Sequence, residues 1–117
     1  MINLDYRDGR PIYQQILDGF RSQIRAGVLL EGDKMPSVRE LAAQLAINPN
    51  TIQRAYRELE SQGWIVSVAG KGSFVCGTPQ SDTDGLLQQF DQLTDTLLSM
   101  GIPAQDLIKR IGGRDHA

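Results

Sequence analysis

The sequence predicts a mainly α-helical chain with a small β-hairpin: a winged helix-turn-helix followed by a helical tail that pairs two copies. Three observations carry this reading. Residues 36–72 run as a helix, a tight turn, a second helix and a hairpin with a Gly70-Lys71-Gly72 tip. That order presents one helix to the DNA major groove. Three stretches before the hairpin repeat apolar residues at helical spacing, and a separate heptad-like apolar seam follows a Gly/Pro-containing break.

The first helix is expected from Pro11 to Ala26. Proline suits a first helical position, and Gly27 suits the left-handed residue after a helix end. Ile12, Ile16, Phe20 and Ile24, with Leu17 beside them, form its apolar face. Leu29 to Lys34 reads as a turn-rich connection. The second helix opens at Ser37, which forms an S-x-x-E capping box with Glu40. Val38, Leu41, Ala42 and Leu45 give it one buried stripe. The third helix starts at Asn48 as N-cap with Pro49 in the first position, and Ile47 and Ile52 fit a hydrophobic staple. Its stripe is Ile52, Ala55, Tyr56 and Leu59, and Gly63 closes it. The short connection between these two helices is the turn the motif needs. Trp64–Val68 and Ser73–Cys76 are rich in β-branched and aromatic residues and are joined by Ala69-Gly70-Lys71-Gly72, a hairpin signal.

Gly77-Thr78-Pro79-Gln80-Ser81 marks a linker, so the domains are expected at 1–76 and 77–117. In the tail, Leu86, Phe90, Leu93, Leu97 and Met100 are spaced 4, 3, 4 and 3, a seam suited to dimerisation because residues 1–76 already close a core of their own. Gly101 and Pro103 interrupt it, and a last short helix carries Leu107, Ile108 and Ile111 before Gly112-Gly113.

The chain has 117 residues, enough for one compact domain and an appendage. No apolar run approaches the ~18–20 residues of a membrane span, no signal-peptide core opens the chain, and the single Cys76 has no internal disulfide partner. A cytoplasmic location is the expectation. The formal net charge is −2, but its distribution is uneven. Residues 1–76 hold nine Lys/Arg against eight Asp/Glu, whereas Lys34, Arg39, Arg54 and Arg57 face only Glu40 within 34–57. Such a local excess permits nucleic-acid binding without requiring it. Catalysis finds no support: His116 is the only histidine and sits at the C-terminus, and no metal-ligand spacing, phosphate loop or nucleophile motif is present. No cofactor is expected.

If the third helix enters the groove, its buried stripe turns Asn48, Asn50, Thr51, Gln53, Arg54 and Arg57 outward. Asn50, Thr51 and Gln53, with Asn48 beside them, are the base-reading candidates, since Asn and Gln pair with adenine and the Thr methyl touches thymine. Arg39 is a phosphate or base contact and Lys71 a minor-groove or phosphate contact. Arg54 and Arg57 suit a phosphate contact or a solvated face equally well. A two-fold dimer would match half-sites about one helical turn apart on a pseudo-palindromic operator.

These residues resemble the GntR family of transcriptional regulators. The resemblance lies in Pro11-Ile12-Tyr13-Gln14-Gln15-Ile16, in the run from Gly32 to Ala42, in Asn48-Pro49-Asn50-Thr51-Ile52 and in the run from Arg54 to Glu60. The short tail is similar to that of the YtrA-like subgroup, whose C-terminal helices mediate dimerisation and whose members often control transporter operons. The resemblance implies a repressor with DNA contacts from Arg39, Asn48, Pro49, Asn50, Thr51, Gln53, Gly70 and Lys71. Pro49 and Gln53 stand where relatives often place arginine, which implies an operator of different sequence. The partners expected are double-stranded DNA and a second copy of the chain, with any effector unknown. The competing reading is a winged-helix protein-interaction module without sequence-specific DNA binding.

Overall fold

Ser37 and Asn48 set the starts of the two central helices. The Ser37 hydroxyl accepts the Glu40 backbone N–H at 3.0 Å, and the Asn48 Oδ1 accepts that of Asn50 at 2.9 Å. Each replaces a hydrogen bond that the first turn of a helix cannot make to itself. Only the Ser37 half of the expected capping box forms among the described residues, and the Glu40 carboxylate is left in solvent.

The computed structural model describes residues 2–114, so His116 lies outside the described residues. The elements are α1 (Ile12–Arg25), α2 (Val38–Leu45), α3 (Pro49–Ser61), β1 (Ile65–Val68), β2 (Gly72–Val75), α4 (Gln80–Ser99) and α5 (Ala104–Gly112). They divide into two compact units, Met1–Pro79 and Gln80–Ala117. No described helix is long and apolar enough to cross a membrane.

In the first unit, the apolar stripes of α1, α2 and α3 meet. Ile16, Leu17, Phe20 and Ile24 pack with Leu41 and Ala42, and with all four stripe residues of α3. Val38 and Leu45 are half-buried at its edge. Trp64, Ile65 and Val75 close the core from the hairpin side. Phe20 meets Tyr56 edge-on, with ring centroids 5.8 Å apart. Gly63, at φ +87°, ends α3 in the left-handed region, and the Trp64 N–H returns to the Leu59 carbonyl at 2.9 Å. Pro11 is the N-cap residue of α1 instead of its first helical residue.

Two features had no sequence signal. The N-terminal arm is clasped by Gln15, whose side chain accepts the Asp5 N–H at 2.8 Å and donates to the Asp5 and Arg10 carbonyls. Ile2 is buried against Gly19, where an added Cβ would fall 2.6 Å from the Ile2 Cδ1. The connection before α2 is also more ordered than a turn. Gly32 N–H donates to the Val75 carbonyl, Val75 N–H to Asp33 and Met35 N–H to Ser73, each at 2.8 Å. This segment therefore runs along the free edge of β2, opposite β1, and Lys34 bridges Phe74. The pairing uses backbone groups alone, so a segment of low β-propensity can make it.

The hairpin is antiparallel with Val68 opposite Gly72, leaving Ala69, Gly70 and Lys71 as a three-residue tip. In the second unit α4 begins at Gln80, so the linker is shorter than Gly77–Ser81; the Gln80 amide donates to the Asp84 carboxylate one turn on, at 2.9 Å. Gly101, at φ +92°, breaks the chain between α4 and α5.

Candidate nucleic-acid interface

The buried stripe of α3 determines what the helix offers to a partner. At 3.6 residues per turn, Asn50, Gln53, Arg54 and Arg57 fall on the face opposite Ile52, Ala55 and Leu59, and all four are exposed. Pro49 is exposed in the first turn, and Thr51 is half-buried at the flank. Asn48 is exposed, but its Oδ1 is committed to the cap, which leaves the side-chain NH₂ for an outside acceptor.

A groove of about 350 Å³ separates this helix from the wing. Gln53, Arg57 and Glu60 line it from α3, Val38 from the start of α2, and Ser67 to Gly70 with Gly72 and Ser73 from the hairpin. The groove floor is held by two hydrogen bonds. Tyr56 donates its hydroxyl to the Pro36 carbonyl at 2.7 Å, and Ser67 donates to the Glu60 carboxylate at 3.0 Å. Burial pushes the Tyr56 phenol well above the usual tyrosine range, with the Glu40 charge adding to it, so the phenol remains a donor.

Charge pairing distinguishes two groups among the cations of this unit, apart from Arg25, which lies over the Trp64 ring at 5.3 Å. Arg7, Arg10 and Arg21 make ion pairs with Asp5, Asp8 and Asp18. Within the Arg10–Asp8 pair the hydrogen bond lowers the Asp8 pKa and raises that of Arg10. By contrast, Lys34, Arg39, Arg54, Arg57 and Lys71 make no ion pair or side-chain hydrogen bond among the described residues. All five are exposed. They lie on the edge of the wing, the first turn of α2, the outer face of α3 and the hairpin tip.

Two residues at this surface were not legible as site residues. Lys34 entered the sequence reading as a charge in a turn-rich connection and as part of the run that resembles the family, and not as a contact residue, yet its side chain lies over Gly72, where a Cβ would meet its Cε at 3.1 Å. Gly72 is at φ +109°, a conformation that also favours glycine. Tyr13 is the second: its ring lies 3.7 Å from the Arg54 guanidinium carbon, linking α1 to the outer face of α3. Gly70, at φ +76°, forms the turn that puts Lys71 at the tip.

The second unit presents apolar surface. Leu86, Phe90, Leu93 and Met100 are exposed, Leu93 by 61 % and Met100 by 71 %, while Leu97 is half-buried. Phe90, Leu93 and Leu97 form a groove of about 420 Å³ with Leu98 and with Leu107, Ile108 and Ile111 of α5. Leu86 and Met100 lie outside that groove.

A capped helix set behind a tight turn and beside a glycine-tipped hairpin defines a winged helix-turn-helix regulator. The chain belongs to the gntR family of bacterial regulatory proteins, which it matches over residues 12–75. It is 44 % identical over 75 residues to the HTH-type transcriptional repressor YtrA of Bacillus subtilis, a match covering 64 % of this chain and 58 % of that one. It spans 58–61 % of the length of three such curated relatives. A transcriptional regulator from Oenococcus oeni has a similar structure, with a TM-score of 0.71 at 33 % identity over 97 % of this chain and 98 % of that one. AraR(DBD), solved in complex with operator ORE1, is similar at a TM-score of 0.56 and 34 % identity over 65 % of this chain and 93 % of that one. The family is one of regulators rather than enzymes.

Proposed function

We propose that the protein is a dimeric, sequence-specific DNA-binding repressor. In this reading α3 lies in the major groove and the wing follows the adjacent backbone. Asn50, Thr51 and Gln53 read bases, with Asn48 and Pro49 at the helix start. Arg39, Arg54, Gly70 and Lys71 contact the backbone around them, joined by Lys34 and Arg57. The observation that carries the reading is the set of five exposed cations without carboxylate partners, beside α1-side arginines that are paired. Phosphates supply the missing anions, and such contacts position a protein while base edges specify the sequence.

Residues 77–117 serve as the dimerisation tail in this reading. Leu86, Phe90, Leu93, Leu97 and Met100 would bury their apolar surface against a second copy, and a two-fold dimer calls for a pseudo-palindromic operator. The likeness to the YtrA repressor supports repression; a transporter operon as target is an expectation from the subgroup alone.

The test is selection of bound sequences from a random DNA pool, followed by affinity across salt. The expected result is an enriched two-fold symmetric site whose binding weakens steeply with salt, because phosphate contacts release counterions. Enrichment of an asymmetric site would remove the dimeric part of the reading. No DNA binding would leave the protein-interaction module in its place.

A further inference from the structure

We propose that the Tyr13 ring holds Arg54 as a preset phosphate contact on the α1 flank of α3, opposite the wing. The inference rests on the DNA-binding reading above and adds Tyr13 to it as a positioning residue. Arg54 follows Gln53 by about 100° around the helix, so the two residues look toward different sides. Gln53 and Arg57 line the groove toward the wing, whereas the Arg54 guanidinium carbon lies 3.7 Å from the Tyr13 ring centroid. A helix seated in a major groove about 12 Å wide has a phosphate strand on each side. The wing supplies Lys71 for one strand, and the Tyr13–Arg54 pair faces the other.

The geometry of the pair favours an anion. A guanidinium over a ring still carries five N–H donors that the ring does not accept as an oxygen would. No described residue takes those donors. Glu58, one turn further along α3, is the natural ion-pair partner, yet its carboxylate receives only the Gln62 amide at 3.5 Å. An exposed i,i+4 pair with the arginine first is in the weaker orientation for a helix, whereas the aromatic face attracts the guanidinium without an opposing charge. The ring therefore wins Arg54 from the carboxylate and holds an otherwise mobile side chain in one place. Less ordering then remains to be done when phosphate arrives.

The experiment compares full-length wild type, Arg54→Ala, Tyr13→Leu and Tyr13→Phe on the selected operator and on random duplex, across a salt series, with thermal denaturation alongside. Arg54→Ala is expected to weaken binding by a similar factor on both DNAs and to make the log–log salt slope shallower by about 0.9, the loss of one phosphate contact. Tyr13→Leu, which keeps apolar bulk without a π face, should weaken both DNAs in the same direction by a smaller factor. Tyr13→Phe should bind as wild type. An unchanged salt slope in Arg54→Ala, with a lowered melting temperature, would make the contact a staple between α1 and α3 and overturn the proposal. A loss confined to the operator would make Arg54 a base reader and also overturn it. Absence of DNA binding by wild type would instead remove the reading on which the proposal rests.

Discussion

Tyr56 shows how one residue of α3 serves the core and the outer groove together. Its ring packs edge-on against Phe20, and its hydroxyl donates to the Pro36 carbonyl just before α2. Tyr56→Phe keeps the packing and leaves that carbonyl without its donor; a destabilisation of about 0.5–1.5 kcal/mol in urea denaturation is expected. The phenol pKa is raised in the folded state, so this stability is intact below the ordinary tyrosine value of ~10 and declines as pH rises beyond it. A stability curve of wild type flat well into the alkaline range would contradict this. Gln53 belongs to the exposed side of the same helix. Gln53→Ala is expected to relax specificity at one base pair, at about 1–3 kcal/mol, and competition between operator and single-base variants measures it. Equal weakening on operator and random DNA would assign Gln53 to the backbone instead. The α3 stripe was readable because spacing alone sorts inward from outward residues. The Tyr13–Arg54 contact was not, since its partners are far apart in sequence.

At the scale of the element, caps decide where α3 presents itself. Asn48→Ala removes the acceptor for the Asn50 N–H and should cost about 1 kcal/mol of stability by equilibrium denaturation. Asn48→Asp, which keeps the acceptor, should remain near wild type in the same measurement. If both variants lose stability equally, the cap is not what Asn48 contributes. The wing is more than the hairpin read from its sequence, since Gly32 to Met35 pair along the second edge of β2. That third segment brings Lys34 over Gly72 and doubles the positive charge near the tip. Nothing in its composition marks it as a strand, because pairing to an available edge demands only free N–H and C=O groups.

For the whole molecule, the contrast between the two units matters most. The first buries its stripes; the second leaves α4 without a single buried residue among those described. In the proposed dimer, Leu93→Asp or Leu97→Asp places a charge in the apolar seam and should yield monomers by sedimentation. Charge reversal at Asp91 or Asp95, off the seam, should leave the dimer intact. A dimer that survives both leucine changes would exclude the seam as the interface. The apolar surface extends past the heptad positions, since Leu98, Ile108 and Ile111 share the groove with Phe90, Leu93 and Leu97. A linear repeat along one helix could not reveal what α5 adds across the turn at Gly101.

The sequence by itself determined the order of the elements, the side-chain caps Ser37 and Asn48, the buried stripes of the first unit and the hairpin. All of these depend on interactions within a few residues or on a fixed period, which the chain carries locally. Only the tertiary structure decided that Gln15 clasps the N-terminal arm, that Lys34 joins the wing and that Arg54 lies over the Tyr13 ring. Each depends on groups brought together by packing of distant segments, and such meetings leave no periodic trace in the order of residues.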